Sequence, residues 1–256
     1  MAGNQETGII IQARYSSTRL PGKLFLPFYE DKKMIEVFLS ELITQVNNHL
    51  PIVLATSINK KDDIFEPVAK AFNIHCFRGS EEDVLGRTCE AAGFYGFRTA
   101  VRVCADNPVY DMERTLQLID VHKSGGADYT SYRLSTGLPS IKSHLGLWGE
   151  VVQVDALQKA RKMTNEKLYH EHVTNFLYSH PQQFKIQLLD APEFLYHRND
   201  LRFTVDRLED FNMMKEIYAQ LKATKKPIDM HHLVGLVDRH PEYLLQMKNQ
   251  IERNKK

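Results

Sequence analysis

The sequence predicts an α/β fold, with a mostly parallel sheet covered by helices on both faces. Two observations support this prediction: apolar runs of strand length alternate with amphipathic stretches, and polar residues cluster directly after the apolar runs. Such alternation is typical of βαβ crossovers, which set strands parallel and place helices on the faces of the sheet. Ligands of these sheets bind beyond the carboxyl ends of the strands, so the polar clusters lie where a binding site is expected.

The elements of the first half follow in regular order. Apolar runs predict strands over residues 8–13, 51–56, 74–78 and 99–105. Apolar residues spaced three and four apart predict helices over residues 34–46, 64–72, 83–95 and 112–122. Each predicted strand is followed by a predicted helix, as βαβ units require.

The second half is less regular. Its pattern predicts helices over residues 154–164, 168–178 and most of 209–251, and strands over 184–189 and 202–205. No shift in composition separates the two halves, so we expect a single domain over residues 1–256. The segment 132–150 is punctuated by Gly and Pro, and we expect it to form an inserted loop or arm.

Composition excludes several classes of function. A formal net charge of +1, from 33 Lys and Arg against 32 Asp and Glu, argues against nucleic-acid binding. No apolar run is long enough for a membrane span, and the N-terminus lacks the features of a signal peptide, so we expect no membrane association. Cys76, Cys89 and Cys104 are widely spaced in apolar surroundings. We therefore expect reduced thiols in a cytoplasmic protein.

The segment from residue 11 to residue 23, IQARYSSTRLPGK, carries the strongest functional signal. It joins the first predicted strand to a loop in which small residues separate three cations, Arg14, Arg19 and Lys23. Small residues let backbone N–H groups approach an anion, and guanidinium groups match phosphate oxygens in forked pairs. The loop predicts a polyphosphate site. The alternative is a solvated basic loop, which three neighbouring cations disfavour.

The second predicted strand also ends in polar residues. Thr56 stands at its carboxyl end, where a hydroxyl group can bind a base or a phosphate. Asp62 and Asp63 follow shortly after, and the favoured interpretation is that they cap the next helix.

The third predicted strand leads into a segment with two arginines. Gly79 permits the close approach of a ligand, and Arg78 and Arg87 are placed to flank a nucleotide. The alternative is a structural helix start, with Ser80 as its cap and Asp83 near the third position. Both interpretations are compatible, because a capped helix still presents free N–H groups to a ligand.

Two carboxylates far apart in sequence stand at the ends of predicted strands. Asp106 and Asp206 are each suited to Mg²⁺, which takes one or two carboxylates together with phosphate oxygens and water. Taken singly, each is better interpreted as a helix cap, but the basic loop favours a shared metal site. His170 and His172 do not have the spacing of a zinc motif.

Several blocks of the chain resemble a known family. They are IQARYSSTRLPGK, ATSINKKDD, FRGSEEDVLGR, VRVCADNPVYD, YHEHVTNF and RFTVDRLEDF. They are similar, in this order, to the cytidylyltransferases that activate acidic sugars such as 3-deoxy-manno-octulosonate (Kdo) and acylneuraminate. The resemblance is greater to the branch typified by the spore-coat polysaccharide biosynthesis protein F. It implies a Rossmann-like nucleotidyltransferase (GT-A-like) core that joins CMP from CTP to an acidic sugar and releases pyrophosphate.

The resemblance also implies roles for individual residues. The triphosphate would be bound by Arg14, Arg19 and Lys23. The cytidine would be surrounded by Ala13, Thr56, Arg78 and Gly79. Mg²⁺ would be held by Asp106 and Asp206. The residues expected to be catalytic are Arg14, Lys23 and Asp106.

The acceptor is the least constrained part of this prediction. Polar residues of the second half within reach of the cleft are candidates for acceptor binding, namely Arg133, Lys142, Glu150 and His172. Members of the family are commonly dimers, so we expect a homodimer in which the segment 132–150 reaches the neighbouring subunit. Two alternatives remain: a glycosyltransferase of similar fold that uses a nucleotide sugar, and a catalytically silent binding protein.

Overall fold

The computed structural model describes residues 6–47 and 49–254. Its strands are β1 (Thr7–Gln12), β2 (Pro27–Tyr29), β3 (Lys32–Lys33), β4 (Ile52–Ser57), β5 (His75–Gly79), β6 (Thr99–Cys104), β7 (Tyr129–Arg133), β8 (Glu150–Gln153) and β9 (Ile186–Asp190). Its α-helices are α1 (Met34–Val46), α2 (Phe65–Ala71), α3 (Val84–Phe94), α4 (Met112–Gly125), α5 (Val154–Met163), α6 (Lys167–Glu171), α7 (Asn175–Ser179), α8 (Glu193–Tyr196), α9 (Leu208–Ala223), α10 (Met230–Asp238) and α11 (Pro241–Arg253). In this part of the chain, no helix combines the length and apolar character needed to cross a bilayer.

A central sheet has the strand order β5-β4-β1-β6-β8-β7-β9, and β2 and β3 form a separate hairpin. Strand β1 pairs in parallel with both β4 and β6, and β4 pairs in parallel with β5. Strand β8 is antiparallel to both of its neighbours, whereas β7 and β9 pair in parallel. The prediction of an α/β fold with a mostly parallel sheet is confirmed.

Two apolar clusters lie on opposite faces of the sheet, because successive side chains of a strand alternate between its faces. Ile9 and Ile11 are fully buried in the cluster that includes residues of α1, α4 and α9 to α11. Ile10, between them, is fully buried in the cluster that includes residues of α3, α5 and α7. The unbroken apolar sequence of β1 follows from burial on both faces.

Two of the elements predicted in the second half differ in the structure. The helix expected over 168–178 is divided into α6 and α7, since the backbone leaves helical geometry at His172. The Thr174 hydroxyl donates instead to the buried Glu150 carboxylate at 2.8 Å. The strand expected over 202–205 is extended chain outside the sheet, whose Phe203 and Val205 N–H groups bind the His144 and Asp106 carbonyls.

The segment 132–150 does not project as an arm over most of its length. Its ends belong to β7 and β8, and Leu134, Leu145, Leu147 and Trp148 are buried in the core. These four apolar residues hold both ends of the segment in the core. Only residues 135–138 of this segment form an exposed stretch. Their contact with a second subunit stays a prediction.

Candidate active site

A cavity of about 640 Å³ opens beyond the carboxyl ends of β1 and β6. It is the site at which the topology of a parallel sheet predicts a ligand. Nine of the site residues predicted from sequence line it: Ala13, Arg14, Arg19, Lys23, Arg87, Asp106, Lys142, His172 and Asp206.

The basic loop after β1 is held closed by backbone hydrogen bonds and one buried carboxylate. The Gly22 N–H donates to the Tyr15 carbonyl at 3.0 Å, and Gly22 has a left-handed φ of 68°. A Cβ atom at position 22 would lie 3.0 Å from the Tyr15 ring. The turn therefore requires glycine, both because of the left-handed φ and because of this close contact. Asp62 is buried, and its Oδ1 accepts the Tyr15 N–H at 2.8 Å.

Asp62 therefore has a different role from the helix cap predicted from sequence. Its Oδ2 accepts the Ser57 N–H at 3.1 Å and the Ser57 hydroxyl at 2.5 Å. The cap of the following turn is Asn59, which accepts the Lys61 N–H. Asp62 thus ties the basic loop to the end of β4, and Asp63 instead pairs with Arg78 at 2.7 Å.

Lys23 lies between Asp106 and the residue that precedes Asp206. Its Nζ donates to the Val205 carbonyl at 2.5 Å and lies 4.0 Å from Asp106 Oδ2. The Val205 N–H in turn donates to the Asp106 carbonyl at 2.9 Å. These contacts bring the segment before Asp206 against Asp106, although a hundred residues of chain separate them.

Asp206 lies among three cations. Its Oδ1 accepts from Arg19 at 2.8 Å, and its Oδ2 accepts from the buried Arg202 at 2.8 Å. Burial by itself raises the pKa of Asp206, but Lys23, Arg202 and Arg19 together outweigh burial and hold the pKa below its usual value. Asp206 is consequently a carboxylate at neutral pH, the form that a metal ion requires.

Asp106 and Asp206 could hold Mg²⁺ only together with oxygen atoms of the substrate and water. Among the described residues, no group of His, Cys, Asp and Glu side chains forms a metal cage on its own. Asp106 and Asp206 do line the same cavity as the cations of the basic loop. Two carboxylates completed by substrate phosphates and water form the arrangement that Mg²⁺ prefers.

Arg87 is a buried cation at the wall of the cavity. It is 2 % exposed, and its Nη1 donates to the Ser80 carbonyl at 2.6 Å. Its Nε has no hydrogen-bond partner among the described residues. Burial lowers the pKa of this guanidinium, and the positive charge of Arg14 adds to the effect. Since an unsatisfied buried donor costs about 1–3 kcal/mol, Arg87 is suited to an anionic ligand.

Three residues assigned to the cytidine do not line the cavity. Arg78 donates to the Ser57 and Asn59 carbonyls at 3.0 Å each, so its guanidinium is engaged at the end of β4. A Cβ atom on Gly79 would lie 2.9 Å from Arg87 Cγ, so this glycine makes room for Arg87. Thr56 is fully buried, and its Oγ1 has no partner among the described residues. Contact of these residues with a base stays a prediction.

On the acceptor side, the structure brings only Lys142 and His172 to the cavity. Arg133 does not reach it, because this side chain pairs at the surface with Asp190 at 2.7 Å. Glu150 does not reach it either. Its buried carboxylate accepts from Arg102, from the Tyr129 hydroxyl at 2.5 Å and from Thr174.

Sequence reasoning missed Arg102 and Glu171. Arg102 lines the cavity from the middle of β6, where its Nε donates to Gln12 at 3.0 Å and its Nη1 to Glu150. A charged residue within the apolar run 99–105 was the available signal. Glu171 also lines the cavity and pairs with Arg14 at 3.4 Å, joining α6 to the basic loop. The residues around Glu171 in the sequence gave no comparable signal of a site residue.

A cavity lined by cations and carboxylates, beyond the carboxyl ends of parallel strands, defines a nucleotide-binding α/β protein. The model of the cytidylyltransferase family matches residues 8–230. The chain belongs to the cytidylyltransferase family, and it is a CTP-using nucleotidyltransferase. The family predicted from the sequence blocks is confirmed.

Individual relatives agree with this assignment. The chain is 32% identical to the spore coat polysaccharide biosynthesis protein SpsF of Bacillus subtilis over 238 residues, covering 91% of this chain and 94% of the relative. It is 33% identical over 233 residues to an uncharacterised protein of Methanocaldococcus jannaschii, covering 91% and 90% of the two chains.

Solved structures share the fold. A cytidylyltransferase from Leptospira borgpetersenii has a TM-score of 0.80 at 23% identity, over 94% of this chain and 97% of that one. A CMP:2-keto-3-deoxy-manno-octonic acid synthetase complexed with CTP has a TM-score of 0.62 at 16% identity, over 84% and 99% of the two chains.

Proposed function

We propose that this protein transfers CMP from CTP to an acidic sugar, with release of pyrophosphate, in the biosynthesis of a cell-surface polysaccharide. The observation that carries the proposal is that three cations of one loop line the same cavity as Asp106 and Asp206. Similarity to the spore coat protein supports a role in polysaccharide synthesis. The fold shared with the keto-deoxy-octonic acid synthetase supports an acidic acceptor.

In the proposed reaction, an acceptor hydroxyl oxygen forms a bond to the α-phosphorus of CTP. The bond from that phosphorus to the oxygen bridging to the β-phosphate breaks, pyrophosphate leaves with the electron pair, and the hydroxyl proton passes to solvent. Such reactions depend on positioning and electrostatic stabilisation more than on covalent catalysis. Lys23, Arg14 and Arg19 bind the triphosphate and offset the charge that grows on the leaving group.

Asp106 and Asp206 are the proposed ligands of Mg²⁺. When bound there, Mg²⁺ would neutralise phosphate charge and would lower the pKa of the acceptor hydroxyl. Lys142 and Arg102 line the cavity in addition to the cations of the basic loop and Arg87, and we assign the sugar carboxylate to these two residues. His172 completes this end of the cavity.

The first experiment determines the nucleotide. Thermal unfolding is followed with CTP, UTP, ATP and GTP in turn, each with Mg²⁺. CTP is expected to raise the melting temperature most, because a ligand that binds only the folded state stabilises it. An equal shift with all four nucleotides would contradict recognition of cytosine.

The second experiment determines the reaction. The protein is incubated with CTP, Mg²⁺ and either Kdo or N-acetylneuraminate, and pyrophosphate is measured. We expect release that depends on both sugar and metal, and that EDTA stops. Liberation of CMP or UDP from an added sugar nucleotide, without pyrophosphate, would indicate a glycosyltransferase instead. Sedimentation of the same preparation tests the proposed homodimer.

A further inference from the structure

We propose that Asn254, at the end of α11, is a positioning residue for Arg19 and thereby for the triphosphate of CTP. The proposal rests on the function proposed above, in which Arg19 binds that triphosphate. Asn254 Oδ1 accepts from Arg19 Nη1 at 2.9 Å, across a sequence separation of 235 residues. The same oxygen accepts from Arg207 Nε at 3.3 Å.

Asn254 is itself firmly held. Its side chain Nδ2 donates to the Gln250 carbonyl at 2.7 Å and to Gln250 Oε1 at 3.3 Å. Its backbone N–H donates to the carbonyls of Gln250 and Ile251, which end the helix. The residue is 9 % exposed. Asn254 is therefore a fixed acceptor, whose position is set by α11 and not by the basic loop.

Arg19 needs such an acceptor. Its side chain is 43 % exposed, and a long exposed arginine loses rotamer freedom when it binds an anion. Asn254 holds Nη1 while Nη2 contacts Asp206 at 2.8 Å, so the guanidinium lies at the cavity before the nucleotide arrives. Pre-organisation of this kind reduces the entropy cost of binding.

The chemistry of the amide suits this role. Arg19 already pairs with one carboxylate, that of Asp206. The neutral oxygen of Asn254 orients the guanidinium without adding a second negative charge, whereas a second carboxylate at the same place would compete with the triphosphate. Asn254 reaches the reaction only through Arg19, since it does not line the cavity. The end of α11 thus serves the nucleotide site from outside it.

The test is a double-mutant cycle on CTP affinity, which requires no knowledge of the acceptor. The dissociation constant of CTP with Mg²⁺ is measured by calorimetry for the unaltered protein, Asn254→Ala, Arg19→Ala and the double variant. We expect Asn254→Ala to weaken CTP binding about tenfold, as for a lost hydrogen bond to a charged group. In the Arg19→Ala background, the same change is expected to alter binding less than about twofold.

Two further variants separate positioning from helix packing. Gln250→Ala removes a neighbour of Asn254 without removing the contact to Arg19, and we expect nearly unchanged CTP affinity. Asn254→Ser retains a polar helix end but does not reach Arg19, and we expect it to behave as Asn254→Ala. Circular dichroism without ligand confirms that each variant is folded.

The outcomes are distinct. The positioning role would be overturned if Asn254→Ala weakened CTP binding equally in the presence and absence of Arg19. It would also be overturned if Asn254→Ala did not weaken CTP binding at all. Weakening by Gln250→Ala as large as that of Asn254→Ala would also overturn it, since packing would then explain the effect. Failure of the unaltered protein to bind CTP would instead contradict the proposed function.

Discussion

At the scale of single residues, the site depends on Lys23. Its ammonium group lies between the Val205 carbonyl and the Asp106 carboxylate, and its side chain is only 12 % exposed. A cation fixed in this way carries little reorganisation cost when charge develops on a phosphate. Lys23 also helps keep Asp206 ionised. One residue therefore contributes to both the proposed phosphate site and the proposed metal site.

Replacement of Lys23 tests this double role. We expect Lys23→Ala to lower kcat/KM for CTP on the order of 10²–10³-fold, the usual cost of losing one electrostatic stabiliser of the transition state. The matched control is Lys32→Ala, since Lys32 is exposed on β3. Steady-state pyrophosphate release measures both variants. Activity of Lys23→Ala close to that of the control would contradict the assignment.

At the scale of elements, buried carboxylates join segments that are distant in sequence. Asp62 joins the basic loop to β4 through Tyr15 and Ser57. Glu150, on β8, binds Arg102 on β6, Tyr129 on β7 and Thr174 before α7. Both residues hold the wall of the cavity in place without lining it.

The Asp62 contacts predict a selective effect on the loop. Asp62→Asn keeps the shape of the side chain but replaces one accepting oxygen with an NH₂ group, which faces N–H and O–H donors. We expect the unfolding free energy to fall by about 1–3 kcal/mol and CTP binding to weaken. Asp63→Asn is the adjacent control. Its partially exposed ion pair with Arg78 is expected to contribute less than about 1 kcal/mol. Urea unfolding compares the two, and equal losses would refute the bridging role of Asp62.

The Glu150 contacts predict a larger effect on the sheet. Glu150→Gln leaves Arg102 buried without its counter-charge, and removing one partner of a buried pair typically costs about 3–5 kcal/mol. Asp190→Asn serves for comparison, because it breaks the exposed pair with Arg133. The difference in unfolding free energy between the two variants is measured by thermal and urea unfolding. A stability of Glu150→Gln equal to that of Asp190→Asn would show that Arg102 tolerates burial alone.

At the scale of the whole molecule, a neutral histidine of α4 forms hydrogen bonds with the antiparallel strands β7 and β8. His122 is fully buried between Thr130 on β7 and Gln153 on β8, at 2.8 and 3.0 Å. Burial lowers its pKa to about 4, although the charge of Asp128 acts in the opposite direction. Because the unfolded chain binds the proton more tightly, acidification favours unfolding.

The sign of the pH effect follows from these two pKa values. The contribution of His122 is complete above about pH 6.5, its ordinary pKa, and is lost as the pH falls toward 4. We expect unfolding free energy to fall by about 2 kcal/mol between pH 7 and 5, as measured by urea unfolding. His122→Gln lacks the titrating group, so its stability is expected to change less over that interval. If the unfolding free energy of His122→Gln depended on pH in the same way as that of the unaltered protein, the role assigned to His122 would be contradicted.

The sequence by itself determined the strands of the first half, because burial on both faces demands the unbroken apolar runs that β1 and its neighbours display. It also determined the basic loop, whose cations lie within a few residues of each other, and the meeting of strand ends at one edge. Tertiary structure alone decided that Arg133 pairs at the surface, that residues 202–205 lie outside the sheet and that Glu150 is buried without lining the cavity. It also decided that Asn254 reaches Arg19. Each of these depends on contacts between distant segments, which no local pattern encodes.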